Sequence, residues 1–235
     1  MPGKLILIPS SLGEASNFTI PEYVKEYLMP LRYFAVEREK TARRFLRSLG
    51  FTANFDEVEL FDIGKRSEKE DVLQCLEPLL SGHDMGVISE AGMPCVADPG
   101  QFLVQIAQEN KITVKPLVGP NALLLALAAS GLNGQSFAFH GYLPIPKKER
   151  QNAIRDLERN VFRNGQTQMF METPYRNHAL IEDVVNTCNP NTLFCVACDL
   201  TLSGETVKTM PVSEWKKTKL NYHKRPAVFL LGKAY

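Results

Sequence analysis

The segment Ser89-Glu90-Ala91-Gly92-Met93-Pro94-Cys95-Val96-Ala97-Asp98-Pro99-Gly100 carries the densest chemical signal in the chain. It follows the short apolar run Asp84-Met85-Gly86-Val87-Ile88, which reads as a buried strand, and precedes Phe102 to Ala107, which reads as a helix. Ligands bind outside the carboxyl ends of strands in an open α/β sheet, where a strand hands over to a helix. Proline fixes φ, and glycine permits positive φ or close approach, so the backbone of this loop is specified. What it offers is a set of N–H and C=O groups aimed at a ligand; the same composition also suits a structural turn. Three further segments share the character: Pro9-Ser10-Ser11-Leu12-Gly13, Val118-Gly119-Pro120-Asn121-Ala122 and Glu172-Thr173-Pro174-Tyr175-Arg176. Turns of this kind can hold an uncharged heteroaromatic ring and a sulfonium without side-chain chemistry.

Other chemistries lack their residues. No G-x-G-x-x-G follows a strand and no G-x-x-x-x-G-K-[ST] is present, which argues against a dehydrogenase or a P-loop enzyme. His83, His140, His178 and His223 are isolated, without H-E-x-x-H spacing, and no G-x-S-x-G elbow occurs. The cysteines are Cys75, Cys95, Cys188, Cys195 and Cys198, an odd, scattered set that is no disulfide framework. Cys195 and Cys198 form a C-x-x-C inside a strand-like run, whereas redox pairs open a helix, so buried thiols are the expectation. No metal is expected.

The elements that must position these loops alternate. Strands are expected at Lys4–Pro9, Leu31–Glu37, Val58–Phe61, 84–88 and 112–117. Helices are expected from Pro21 to Leu28, from Arg38 to Leu49 with a stop at Gly50, and from a capping box at Ser67-Glu68-Lys69-Glu70 to about Leu80. Such βα alternation calls for a mainly parallel sheet with helices on both faces. The helix 123–130 is apolar nearly all round and is expected to be buried. Beyond it, strands at 136–142, 168–171, 193–201, 204–210 and 225–231, with helices at 149–163 and 176–188, suggest a mixed sheet. The expected fold class is therefore α/β in two domains, 1–116 and 117–235, with a mainly parallel N-terminal sheet and a mixed C-terminal sheet.

The chain has 235 residues and a net charge of +1, which hides an asymmetry: residues 1–114 carry a net of −5 and residues 115–235 a net of +6. The basic half could face an anionic partner such as nucleic acid. Lys147, Lys148, Arg150, Arg155, Arg159 and Arg163 would supply a basic rim. No apolar run reaches the roughly 18 residues of a membrane span. Leu5-Ile6-Leu7-Ile8 is too short for a signal-peptide core, so a cytoplasmic protein is expected.

In order and spacing the loops resemble the tetrapyrrole methylase superfamily of S-adenosylmethionine-dependent methyltransferases. They are most similar to its branch that methylates ribose 2′-oxygens of 16S ribosomal RNA. That branch's S-D-A-G-x-P-x-x-x-D-P-G is matched by Ser89 to Gly100, with Glu90 for the acid. Its G-P-S-A turn and S-G-L helix end are matched by Gly119-Pro120-Asn121-Ala122 and Ser130-Gly131-Leu132. F-x-G-[FY]-L-P corresponds to Phe139 to Pro144, and E-[ST]-P-[HY]-R to Glu172 to Arg176. The resemblance implies S-adenosylmethionine in the cleft between two domains. It would be touched by Pro9, Ala91, Gly92, Met93, Val96, Asn121, Ala122, Met171, Ala197 or Cys198, Pro226 and Ala227. It also implies a homodimer.

The acceptor-side motifs depart from the branch, and the chain resembles a diverged paralogue. E-D-T-R is replaced by Glu37-Arg38-Glu39-Lys40, G-N-L-x-D by Ser11 to Ser16, and A-R-E-L-T-K by Ala197-Cys198-Asp199-Leu200-Thr201-Leu202. The resemblance implies a methyltransferase acting on RNA, with a tetrapyrrole acceptor, or donor binding without catalysis, as alternatives. A hydroxyl acceptor needs a base. Glu37 and then Glu90, each at the end of an expected strand, are the candidate catalytic residues.

Overall fold

A computed structural model describes residues 1–14, 16–64 and 67–234. These divide into two compact units, Met1–Asn121 and Ala122–Tyr235.

The first unit runs β1 (Lys4–Ile8), α1 (Tyr23–Leu28), β2 (Tyr33–Val36), α2 (Glu39–Ser48), β3 (Glu59–Asp62), α3 (Lys69–Gln74), α4 (Leu76–Leu80), β4 (Met85–Ile88), α5 (Gln101–Glu109) and β5 (Thr113–Pro116). Its sheet has the order β3-β2-β4-β1-β5, and every pairing is parallel. Alternation along β1 explains the layers. Ile6 and Ile8 join Phe34, Val36 and the α1 and α2 side chains Val24, Leu28 and Leu46 on one face. Leu5 and Leu7 join Ala35, Val87 and the helix residues Val72, Leu79, Leu103 and Ile106 on the other. A parallel sheet covered on both faces must read as unbroken apolar runs, and the three central strands β2, β4 and β1 do, while the edge strands β3 and β5 carry polar residues. Gly86 is required within β4: a Cβ there would lie 2.8 Å from both Ile8 Cδ1 and Phe34 Cδ1.

The second unit runs α6 (Ala122–Ser130), β6 (Phe137–Tyr142), α7 (Lys147–Asn164), β7 (Thr167–Met171), α8 (Asn177–Thr187), β8 (Leu193–Cys198), β9 (Thr206–Pro211), α9 (Val212–Trp215) and β10 (Ala227–Gly232). The sheet order is β6-β7-β10-β8-β9, with β6 and β7 parallel and the other pairings antiparallel. Phe170, Phe194, Val196 and Phe229 pack with Ile154, Leu180, Val184 and Trp215 on one face. The α/β class, with one parallel and one mixed sheet, is the one expected.

Four local expectations are corrected. The capping box is formed by Glu68 and Asp71, not by Ser67 and Glu70, and the helix it opens breaks at Cys75 into α3 and α4. The strand expected over 193–201 ends at Cys198, because Asp199 and Thr201 take positive φ of 50° and 69°. Helix α6 is not buried all round: Leu123, Ala126 and Leu127 are buried, while Leu124 and Leu125 are 55% and 39% exposed. Arg150 is not part of a basic rim, since it is buried against Asp183. No helix among the described residues is long and apolar enough to cross a membrane.

Candidate active site

The first sheet brings three predicted loops to one edge. Ile8 and Val36 both pair with Ile88, so the residues that follow, Pro9, Glu37 and Ser89, leave three adjacent strands at the same level. A two-residue bridge then ties the first loop to the third. The Ser10 N–H donates to the Gly92 carbonyl at 2.8 Å, and the Gly92 N–H donates back to the Ser10 carbonyl at 3.0 Å. The Ser10 hydroxyl donates to the Ser89 carbonyl at 2.8 Å. Gly92 has φ +81°, and a Cβ there would come 3.2 Å from Leu12 Cδ2. Gly119 is packed against the Pro9 ring so closely that a Cβ would lie 2.3 Å from its Cβ and Cγ.

The 89–100 loop holds its shape against local preference. Cys95 and Ala97 have φ of 68° and 64°, and Gly100, at φ 116°, opens α5. Positive φ at non-glycine residues is uncommon and marks backbone held by its surroundings. Burial, followed by the Asp98 carboxylate, pushes the Cys95 thiol up to about 11, so the thiol stays neutral and is no nucleophile at neutral pH. Ala91 and Val96 are exposed, Met93 is half-buried, and Gly92 is buried.

The two candidate acids line one groove of about 500 Å³, together with Ser10, Ser89, Arg38, Thr41 and Arg44. The Glu90 carboxylate accepts a short hydrogen bond from the Thr41 hydroxyl. The Glu37 carboxylate makes no hydrogen bond or ion pair among the described residues. Arg44 pairs with Glu14 at 3.4 Å, but both are largely exposed. Thr41 escaped the sequence reading as a partner for Glu90. Its signal is the spacing: it lies four residues after Glu37, on the first turn of α2, hence on the side of the sheet edge. Ala15, within the segment that departs from the G-N-L-x-D motif, lies outside the described residues.

The second-unit candidates also converge, within their own sheet. Met171 and Ala197 both pair with Val228, from opposite sides, and Ala227 pairs with Cys198. The Pro226 carbonyl accepts from the Asp199 N–H at 3.0 Å. Ala197 is buried, Met171 and Ala227 are half-buried, and Pro226 is exposed. Asn121 and Ala122 stand at the start of α6, both half-buried. Cys195 and Cys198 are buried strand thiols, each pushed up to about 11 by burial, as expected of packing residues. Among the described residues no cluster of metal-binding side chains occurs.

Comparison with known proteins assigns the class. The family described as Tetrapyrrole (Corrin/Porphyrin) Methylases matches residues 14–216, and the chain belongs to it. A curated relative, the ribosomal RNA small subunit methyltransferase I of Escherichia coli O157:H7, is 29% identical over 97% of this chain and 77% of its own length. Among solved structures, the methyltransferase CobJ superposes with a TM-score of 0.65 at 17% identity, over 99% of this chain and 95% of its own. Uroporphyrin-III C-methyl transferase from Thermus thermophilus, complexed with S-adenyl homocysteine, superposes with a TM-score of 0.58 at 16% identity, over 98% of this chain and 97% of its own. The chain is thus a methyltransferase, and the donor that its resemblance implies is S-adenosylmethionine.

The residues present fit that donor. Ser89 Oγ is buried at the groove and has no hydrogen-bond partner among the described residues. At Gly92 and Gly119 a Cβ would meet Leu12 and the Pro9 ring, so the loops pack against one another with no room for side chains there.

Proposed function

We propose that the chain transfers a methyl group from S-adenosylmethionine to RNA, at a ribose 2′-oxygen of the small-subunit ribosomal RNA. The observation that carries this reading is the groove at the carboxyl ends of β1, β2 and β4, which sets Glu37 and Glu90 beside the bridged Ser10 and Gly92. The name of the Escherichia coli relative adds support for an RNA acceptor. When bound, the donor supplies an electrophilic methyl group on a positively charged sulfur. In this reading Pro9, Ala91, Gly92, Met93, Val96, Asn121 and Ala122 hold the nucleotide mainly through backbone groups. Met171, Ala197, Pro226 and Ala227 add contacts from the second sheet.

Positioning two substrates can supply about 7–11 kcal/mol of a barrier, so orientation by these turns is the main task of the site. Glu37 takes the proton of the acceptor hydroxyl, and Glu90, held by Thr41, orients that hydroxyl. Exposed Lys147, Lys148, Arg155, Arg159 and Arg163 on α7 are the basic residues left to meet phosphates once Arg150 is set aside. A homodimer is part of the proposal. The exposed Leu124 and Leu125 on α6 support it, and a sedimentation coefficient of a single chain would reject it.

Labelled S-adenosylmethionine and 30S subunits from a strain lacking this protein test the function directly. Label is expected in the RNA at a 2′-O-methyl nucleotide. Glu37→Gln is expected to lower kcat by about 10²–10⁴-fold with little change in donor affinity. Full turnover by that variant would remove Glu37 from its role, and an unlabelled RNA would remove the acceptor.

A further inference from the structure

The second sheet carries a carboxylate whose bonding is lopsided. Glu172 directly follows β7, and its side chain is 1% exposed. Oε1 accepts from the Thr173 backbone N–H at 2.6 Å, from Arg176 Nε at 2.9 Å and from Arg176 Nη2 at 2.6 Å. Oε2 is buried and accepts nothing among the described residues. A guanidinium fork ordinarily spans both oxygens of a carboxylate. Here both prongs fall on one oxygen, and the Thr173 N–H joins them there. A buried acceptor left empty is destabilising, and a native chain retains one where something else fills it.

Glu172 itself stands at a defined place in the sheet. Met171, the residue before Glu172, pairs with Val228, which on its other side pairs with Ala197. These strand ends are the ones assigned above to the donor, and the present inference rests on that assignment. The charge balance narrows the group that would fill the place. Arg176 already neutralises the carboxylate, so the free oxygen suits a neutral O–H or N–H rather than a second cation. An acidic side chain near a strand end that accepts from a nucleoside hydroxyl is a recurrent arrangement in nucleotide sites.

We propose that Glu172 is a further donor-binding residue, whose Oε2 accepts a hydrogen bond from a neutral O–H or N–H of the adenosine moiety of S-adenosylmethionine. Arg176 is the positioning residue that turns the carboxylate and holds its charge.

Calorimetry on the full chain tests this with S-adenosylhomocysteine, its 2′-deoxy and 3′-deoxy analogues and its inosine analogue. Wild type is compared with Glu172→Gln and Glu172→Asp. Glu172→Gln keeps the shape and Oε1 but puts an N–H₂ where the acceptor was. It is expected to fold with a lowered melting temperature, because the Arg176 pair loses its charge, and to bind S-adenosylhomocysteine about tenfold or more weakly. One analogue, the one lacking the bonded group, is expected to lose the same factor on wild type and nothing further on the variant. Loss with a deoxy analogue assigns a ribose hydroxyl, and loss with the inosine analogue assigns the adenine amine. Glu172→Asp keeps the charge but draws the oxygen back, so it carries the same expectation if the Gln variant does not fold. If neither folds, the analogue series on wild type decides.

Wild-type affinity in a folded variant overturns the proposal. So does a wild type that binds every analogue as it binds S-adenosylhomocysteine, and so does a variant that loses RNA affinity while keeping that of S-adenosylhomocysteine. Failure of wild type to bind S-adenosylhomocysteine at all would instead strike the donor assignment beneath it.

Discussion

At the carboxyl edge of the first sheet the chain is held by backbone, and at the β7–β10–β8 end of the second it is held by buried charge. The first edge relies on the Ser10–Gly92 bridge and on positive φ at Gly92, Cys95, Ala97 and Gly100, and its two acids remain accessible in a groove. The second edge relies on Glu172 with Arg176, on Asp199 with Arg225 at 2.7 Å, and on Asn177, whose Nδ2 donates to the Tyr222 and Arg225 carbonyls. A loop specified by glycine and proline is rigid without spending side chains, so its acids are free for chemistry. A loop specified by ion pairs uses its charges to hold itself. The difference leaves the acids of the first edge open in a groove and those of the second engaged in ion pairs.

The largest effect expected tests the claim that the second unit depends on buried charge. Arg150 donates through Nε at 2.8 Å and Nη2 at 2.5 Å to Asp183 Oδ2, with side chains 8% and 3% exposed. Removing one partner of a buried pair leaves the other charged and dry. Asp183→Ala is therefore expected to cost about 3–5 kcal/mol in denaturant unfolding, a loss well above that of any surface pair. A loss under about 1 kcal/mol, the range of exposed pairs, would show that charge is incidental there.

An alkaline titration probes the same unit by another route. Burial raises the Cys195 thiol from 9.0 to about 11, against a smaller lowering by Thr209. The folded state thus holds that proton more tightly than the unfolded one. The stability it contributes is complete below pH 9 and is lost as pH rises toward about 11. Over that window wild type is expected to lose about 2–3 kcal/mol more than Cys195→Ala. Parallel pH curves for the two proteins would refute a buried, protonated thiol.

What the sequence made legible divides along the same line. The Ser89–Gly100 loop and the Val118–Ala122 turn stand out because glycine and proline announce backbone shape locally. The strands around them read clearly because a sheet buried on both faces needs continuous apolar residues. The pairing of Arg150 with Asp183 did not stand out: the residues lie 33 positions apart, and Arg150 sits among exposed bases on α7, although its spacing to Ile154, Leu157 and Val161 puts it on the buried stripe of that helix. Helix α6 was misread for the opposite reason. Its apolar residues have no periodicity, so composition could not say that only Leu123, Ala126 and Leu127 face the interior. The bond from Thr41 to Glu90, 49 positions away, and the empty oxygen of Glu172 depend on contacts that form only after folding.

A steric change tests the claim that the first edge is specified by backbone. Gly100 has φ 116°, and a Cβ there would lie 2.8 Å from Cys95 Sγ. Gly100→Ala combines that overlap with a disfavoured φ, and is expected to destabilise by about 1–3 kcal/mol and to weaken S-adenosylhomocysteine binding in the same variant. Relief of the overlap by Cys95→Ala should restore part of the loss but not all of it, because the strained φ remains. Full restoration would show that packing alone, and not the backbone, sets the loop.

The smallest effect is expected where the two acids meet. The Thr41 hydroxyl has two acceptors in reach, Glu90 Oε1 and the Arg38 carbonyl at 3.1 Å, and one proton to give. Thr41→Val removes that proton while keeping the shape of the side chain. Glu90 is exposed, so water replaces the lost bond, and the cost to stability is expected to be about 0.5–1.5 kcal/mol at most. If Glu90 orients the acceptor, its looser carboxylate should raise KM for RNA and leave S-adenosylhomocysteine affinity unchanged. If Glu90 instead faces the donor, the order reverses. The split between the two constants therefore tells which substrate the second acid serves, in a variant too mild to disturb the fold.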